Sequence, residues 1–264
     1  MLESVGADDE AMQAARLVKS LGLDPGERGC AMITVATSTD EAKRGARVAV
    51  LPVGSFEQHG DYLPLATDTI VAQVIAERIA QRYDLFLLPP ITLSCSHEHE
   101  GFAGTVSISA QTVIAVVADV RASLVRSGIT KLVLINGHGG NYVLSNIAQE
   151  ANVTGPAVAL FPGAPDIAAA RTAAGMMSNA HEDMHAGEWE TSILLHTHPK
   201  LVRDTHTSAD HDASDRSHLH LLGMAGYTKT GVIGQPSQAT AGKGERALDS
   251  LTWSFSALLN ALVE

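Results

Sequence analysis

Cysteine is nearly absent from this 264-residue chain. Cys30 and Cys95 are its two thiols, too few and too far apart for a disulfide framework or a cysteine-based zinc site. Apolar runs of the roughly 18 residues a membrane helix needs are missing. Basic runs are missing as well: 18 Lys and Arg against 29 Asp and Glu leave a net charge of −11. That balance excludes nucleic acid or an anionic membrane as the main partner, because both require clustered cations. The opening MLESVGADDE carries neither the basic nor the apolar region of a secretory signal, so a cytoplasmic protein is expected. No internal repeat or low-complexity tract occurs. What the chain does have is a 45% hydrophobic composition, enough length for a large core, and twelve histidines, which outnumber its five Phe, two Trp and four Tyr together.

Strand-length apolar runs at Val48–Val53, Leu85–Leu88, Lys131–Ile135 and Ala157–Phe161 are mostly β-branched or bounded by Gly, Pro or Asp. Between them, Ile70, Val71, Val74, Ile75 and Ile79, then Val113, Val116, Val117, Val120 and Leu124, recur at helical spacing. A short helix is signalled by the hydroxyls and carboxylates of residues 37–41, another helix around Glu190–His196, and a last one over Gly244–Leu262. Residues 162–179 and 203–220 read as irregular. This alternation predicts an α/β fold, a three-layer α/β/α sandwich around a mainly parallel sheet, with its site beyond the carboxyl ends of the strands. Residues 1–36 are expected to form an N-terminal helical extension, with its helix over 8–21, and residues 37–264 a single α/β domain.

Four polar clusters fall where such a site belongs. Gly54-Ser55-Phe56-Glu57-Gln58-His59-Gly60 follows the first strand, and Asp68 sits where the next helix starts, positioned either to cap it or to face the site. In extended backbone Glu57 and His59 project to one side. Asn136-Gly137-His138-Gly139-Gly140-Asn141 closes the third strand; it lacks both the P-loop lysine and the dinucleotide spacing. His181-Glu182-Asp183-Met184-His185-Ala186-Gly187-Glu188-Trp189-Glu190 precedes a helix, whose dipole alone would accommodate Glu188 and Glu190. Ser96-His97-Glu98-His99-Glu100 reads as a hydrated loop or a fourth contributor. Together they offer oxygen and imidazole ligands without thiolate, a set suited to zinc, manganese or a similar divalent ion in a hydrolytic site.

These motifs, with Leu63-Pro64-Leu65, Thr67-Asp68, Phe102-Ala103-Gly104-Thr105, His185-Ala186-Gly187, Glu190-Thr191-Ser192 and Gly231-Val232-Ile233-Gly234, occur in the order found in the creatininase family of metal-dependent amidohydrolases, which residues 45–262 resemble. The resemblance implies two divalent ions per chain, zinc first, with manganese or iron as alternatives. Glu57, His59, Asp68, His138 and Glu190 stand as ligands, with Asp68 bridging, and His185 stands as the catalytic histidine. The ions would activate a bridging water to attack a polarised amide carbon, and His185 would pass a proton to the departing nitrogen. Glu98, His99, Gly139, Gly140 and His181 are the candidate substrate contacts. Family members are often homo-oligomers, some hexameric, so assembly is expected.

Creatininase proper differs around the substrate. It carries a tyrosine and a glutamate where this chain has Gly139 and Gly140, and a tryptophan in place of His181, so creatinine is not the expected substrate. The Gly-His-Gly-Gly-Asn form resembles a wider branch of deformylases, peptide-trimming maturases and ring-opening hydrolases. Tyr62 stands where many relatives have histidine. The expected activity is hydrolysis of a carbon–nitrogen bond other than a peptide bond, in a cyclic amide or formamide of a small molecule. The alternatives are a maturase trimming a small modified peptide and a non-catalytic metal-binding protein. The stretch Thr205–His220, with His206, His211, His218 and His220, is read as a solvated loop in preference to a metal-gathering one.

Overall fold

Val48–Val53 (β1), Phe86–Leu87 (β2), Lys131–Asn136 (β3) and Val158–Phe161 (β4) pair in parallel in the order β2-β1-β3-β4. The computed structural model describes residues 34 and 36–264; the helix expected over 8–21 and Cys30 lie outside them. The strands are the predicted ones, within two residues at each end. Every residue of β1 is buried, which explains its unbroken apolar run: a central parallel strand is covered on both faces.

The pleat divides β1 and β3 between two cores. Val48, Val50, Val133 and Ile135 face helices Thr67–Tyr83 (α2), Ala164–Ala174 (α5), Glu188–Thr197 (α6) and Ala241–Val263 (α8). Ala49, Leu51, Val53, Leu132 and Leu134 face Ala110–Arg126 (α3) and Val143–Ala151 (α4). Three layers result, as the alternation predicts. Ser38–Arg44 (α1) opens with Thr37 and Asp40 forming a capping box. Leu219–Leu222 (α7) is a single short turn inside the irregular stretch. Helix α5 lies within residues 162–179, expected to be irregular; its Ala-rich sequence gives little amphipathic signal, and only Ala170, Arg171 and Ala174 are buried.

The path reverses between the adjacent strands β1 and β3, because β2 lies on one side of β1 and β3 on the other. A crevice opens at their carboxyl ends. Two glycines let α2 start inside it. A Cβ at Gly54 would strike the backbone of Thr69, and one at Gly137 would strike the Asp68 carbonyl oxygen. The first turn of α2 is thereby held against both strand ends, with Asp68 between them.

Candidate metal centre

Asp68 does not spend its side chain on the helix start. Its Oδ1 lies 3.0 Å from His59 Nε2, and its Oδ2 lies 3.2 Å from His138 Nδ1. Glu57 Oε1 is also 3.2 Å from His138 Nδ1, and Glu190 Oε2 is 3.9 Å from His59 Nε2. Two triads therefore share one carboxylate: Glu57, Asp68 and His138, and His59, Asp68 and Glu190, each with ligand atoms within 4.8 Å of one another. A third grouping joins Glu57, His59 and His185.

Backbone carbonyls fix the imidazoles. His59 Nδ1 donates to the Glu57 carbonyl (3.0 Å) and His138 Nε2 to the Cys95 carbonyl (2.7 Å), so the other nitrogen of each ring turns to the cluster. His185 Nε2 donates to the Gln58 carbonyl (2.6 Å), leaving Nδ1 3.7 Å from Glu57 Oε1. The ring of His99 is held by Gln58 Nε2, which donates to its Nδ1, and presents Nε2 3.3 Å from Glu57 Oε1.

The residues fit divalent cations. Glu57, His59 and Asp68 are almost fully buried, and both Glu57 oxygens and Asp68 Oδ2 have no hydrogen-bond partner. Buried carboxylate oxygens left this way are costly, and a metal ion is the partner that carboxylates and tethered imidazoles can share. Protonation follows the same crowding. Burial alone would push His59 down, yet Asp68, Glu190 and Glu57 lift it to about 9. Burial, with Asp68 beyond it, raises Glu190 to about 7. Burial and the neighbouring His59 push His185 down to about 3, so its imidazole is neutral. Asp68, despite burial, is held well below the usual carboxylate range by His59 and His138.

The acidic segment 181–190 sorts by environment. Glu188 takes Ser178 Oγ and Lys243 Nζ; Asp183 takes the amides of Glu188 and Trp189 and the Arg171 guanidinium at 2.8 Å. Glu190 alone of these carboxylates joins the cluster, its Oε2 accepting the Ala186 amide at 2.6 Å. Ala186 has φ 54, a left-handed conformation costly for a residue with a Cβ. It is held there by the Tyr62 hydroxyl, which donates to its carbonyl, and by Ile233, which pairs antiparallel with His185. This gives the Gly231–Gly234 motif a physical role.

Among the candidate substrate contacts, Glu98 and Gly140 line a cavity of about 500 Å³, and Gly139 lines another of about 260 Å³ together with His138, Trp189 and Glu190. His99 is buried against Glu57 and lines neither. His181 is exposed, its ring against the Ser214 carbonyl, away from the cluster. In the stretch 205–220 the histidines do not converge: His206 Nδ1 donates to the Arg203 carbonyl, His211 Nε2 to the Tyr227 carbonyl, and His220 stacks edge-on to Tyr142. Sequence reasoning missed Gln58, Asp183 and Arg171. The available signal was glycine: a Cβ at Gly231 would overlap the Gln58 side chain, and one at Gly187 would overlap Asp183.

Comparison with known proteins identifies the family. Residues 34–259 match the family model of creatininase, described as creatinine amidohydrolase. A mycofactocin precursor peptide peptidase of Mycobacterium ulcerans is 35% identical over 210 residues, 75% of this chain and 78% of that protein. Creatinine amidohydrolase of Pseudomonas putida is 26% identical over 78% of this chain and 85% of its own. The crystal structure of a creatininase superimposes with a TM-score of 0.73 at 23% identity, covering 86% of this chain and 95% of that one. Other solved creatininases include a Zn–Zn form and a Mn form. No described helix is long and apolar enough to cross a membrane. The ordered motifs, the sheet and the family match agree: the chain belongs to the creatininase family of carbon–nitrogen hydrolases.

Proposed function

We propose that the chain hydrolyses an amide carbon–nitrogen bond at a centre for two divalent ions, zinc or manganese, held by Glu57, Asp68 and His138 on one side and His59, Asp68 and Glu190 on the other. The observation that carries this reading is Asp68, whose two oxygens face two different histidine–carboxylate pairs. When bound, such ions polarise a carbonyl oxygen and lower the pKa of water. His185 moves the proton. Its Nε2 is committed to the Gln58 carbonyl, so the lone pair on Nδ1 faces the cluster and accepts the proton that water gives up. It returns that proton to the amide nitrogen as the carbon–nitrogen bond breaks, which spares the formation of an amine anion.

For the substrate, the first reading is a non-peptide amide of a small molecule, a lactam or a formamide, received in the cavity of about 260 Å³ that holds His138 and Glu190. A second reading, trimming of a small peptide, is favoured by the 31–35% identity to mycofactocin precursor peptide peptidases and by the second, larger cavity beside His138. Incubating metal-loaded protein with lactams, formamides and short peptides, and following amine release, separates the two. Turnover confined to the first two classes supports the small-molecule reading. Loss of a terminal residue from the peptides supports the second, and a protein with two ions bound that turns over none of the three overturns both.

A further inference from the structure

The cavity of about 500 Å³ lies across the Gly139-Gly140 turn from the catalytic crevice, with Cys95, His97, Glu98, Gly140 and Tyr142 on one wall and residues 219–223 on the other. It reaches close to the chemistry: Glu98 Oε1 is 3.7 Å from His138 Nε2, on the ring edge opposite the cluster. The walls differ in character. Leu221 is 82% exposed, Leu222 53% and Tyr142 60%, so the outer part is apolar surface open to water. Its inner end carries the Glu98 carboxylate, whose partners among the described residues are its own backbone amide and the His138 ring, with no Lys or Arg paired to it. Arg216, on the Tyr142 side, directs its guanidinium to the carbonyls of Ala213 and His181. The space Glu98 occupies exists because residue 140 is glycine; a Cβ there would collide with Glu98 Oε1 and the His138 ring.

We infer that this cavity is a recognition subsite for a protonated amine carried on an apolar body, with Glu98 as the charge that selects it. The inference rests on the proposed hydrolase reading and narrows its substrate class. The amine pairs with Glu98, and the body lies along Leu219, Leu222 and Tyr142, with the scissile amide on the far side of the Gly139-Gly140 turn. A phosphate or free carboxylate placed at the inner end meets the Glu98 carboxylate, so an anionic group is disfavoured there.

The test uses metal-loaded protein and three probes of one shape: 2-phenylethylamine, 2-phenylethanol and phenylacetate. Binding is read from the ring resonances of Tyr142 and His220, which belong to this cavity and not to the metal ligands. The expected result is at least tenfold tighter binding of the amine than of either counterpart, a preference abolished in Glu98→Gln and turned toward phenylacetate in Glu98→Lys, with metal content unchanged in both. Equal binding of the three probes, or an amine preference that survives Glu98→Gln, overturns the subsite. Because binding is measured without turnover, a protein that prefers the amine but hydrolyses nothing keeps the subsite while the hydrolase reading fails.

Discussion

Two stretches of this chain are similarly rich in histidine and acid, and they do opposite things. Residues 181–190 deliver His185 and Glu190 into a buried cluster, whereas residues 204–220 carry His206, His211, His218 and His220 half-buried or exposed and not converging. Composition does not separate them. Placement does: the first stretch runs into the first turn of α6, is clamped by Asp183 and Ile233, and lies across the carboxyl ends of β1 and β3. The second is also pinned, His211 pairing with Gly234, but outside the crevice, and the rings of His206 and His211 spend a nitrogen on the Arg203 and Tyr227 carbonyls with no carboxylate cluster facing the other. A histidine joins the buried cluster when one ring nitrogen is tethered and the other faces unpaired carboxylates.

Breaking the first stretch, or the carboxylate it faces, carries the largest effects. Asp68→Ala removes the carboxylate shared by both triads, so metal content by elemental analysis is expected to fall from about two ions per chain to none, with activity at background. His185→Ala tests the division of labour inside the cluster. It is expected to keep both ions while the chemical step slows by roughly 10²–10⁴-fold, the usual worth of a positioned proton-transfer group; loss of metal in this variant would make His185 a ligand instead. Asp183→Ala leaves the buried Arg171 guanidinium without its carboxylate and the start of α6 uncapped. A loss of about 3–5 kcal/mol in unfolding free energy is expected by denaturant titration. Chelation of the wild-type protein is expected to lower Tm by roughly 5–10 °C, since an ion at a hundred times its Kd contributes about 2.7 kcal/mol. The smallest effect belongs to the second stretch: His206→Ala with His218→Ala should change stability by less than about 0.5 kcal/mol and leave metal content unchanged. Loss of an ion in that double variant would erase the contrast between the two stretches.

The sheet was legible because buried parallel strands leave unbroken apolar runs, and α2 and α3 because their apolar residues recur at helical spacing. Helix α5 was not, since its buried face is built from alanines and one arginine that no periodicity marks. In the site, Glu57, His59 and His138 could be placed because each closely follows a strand or its turn. Asp68 was ambiguous between a helix-start role and the site, and the structure resolves it through the glycines that admit α2 into the crevice. Glu188 and Glu190, two residues apart on one helix, are separated by the family resemblance but not by residue pattern, since both suit a helix start: one faces Lys243 and the other His59.

The sequence by itself determined the alternating fold, the two glycine-bearing turns and a ligand set of carboxylates and imidazoles, because backbone permissiveness, periodicity and donor chemistry are properties of residues and their neighbours in the chain. The tertiary structure alone decided which acid faces which imidazole, which nitrogen of each ring is free, and that Glu98 enters the room left by Gly140. Outside His59, which is tethered and paired within nine residues, those outcomes depend on contacts between segments 40 to 130 residues apart, and local sequence carries no record of the distance between groups that only the folded sheet brings together.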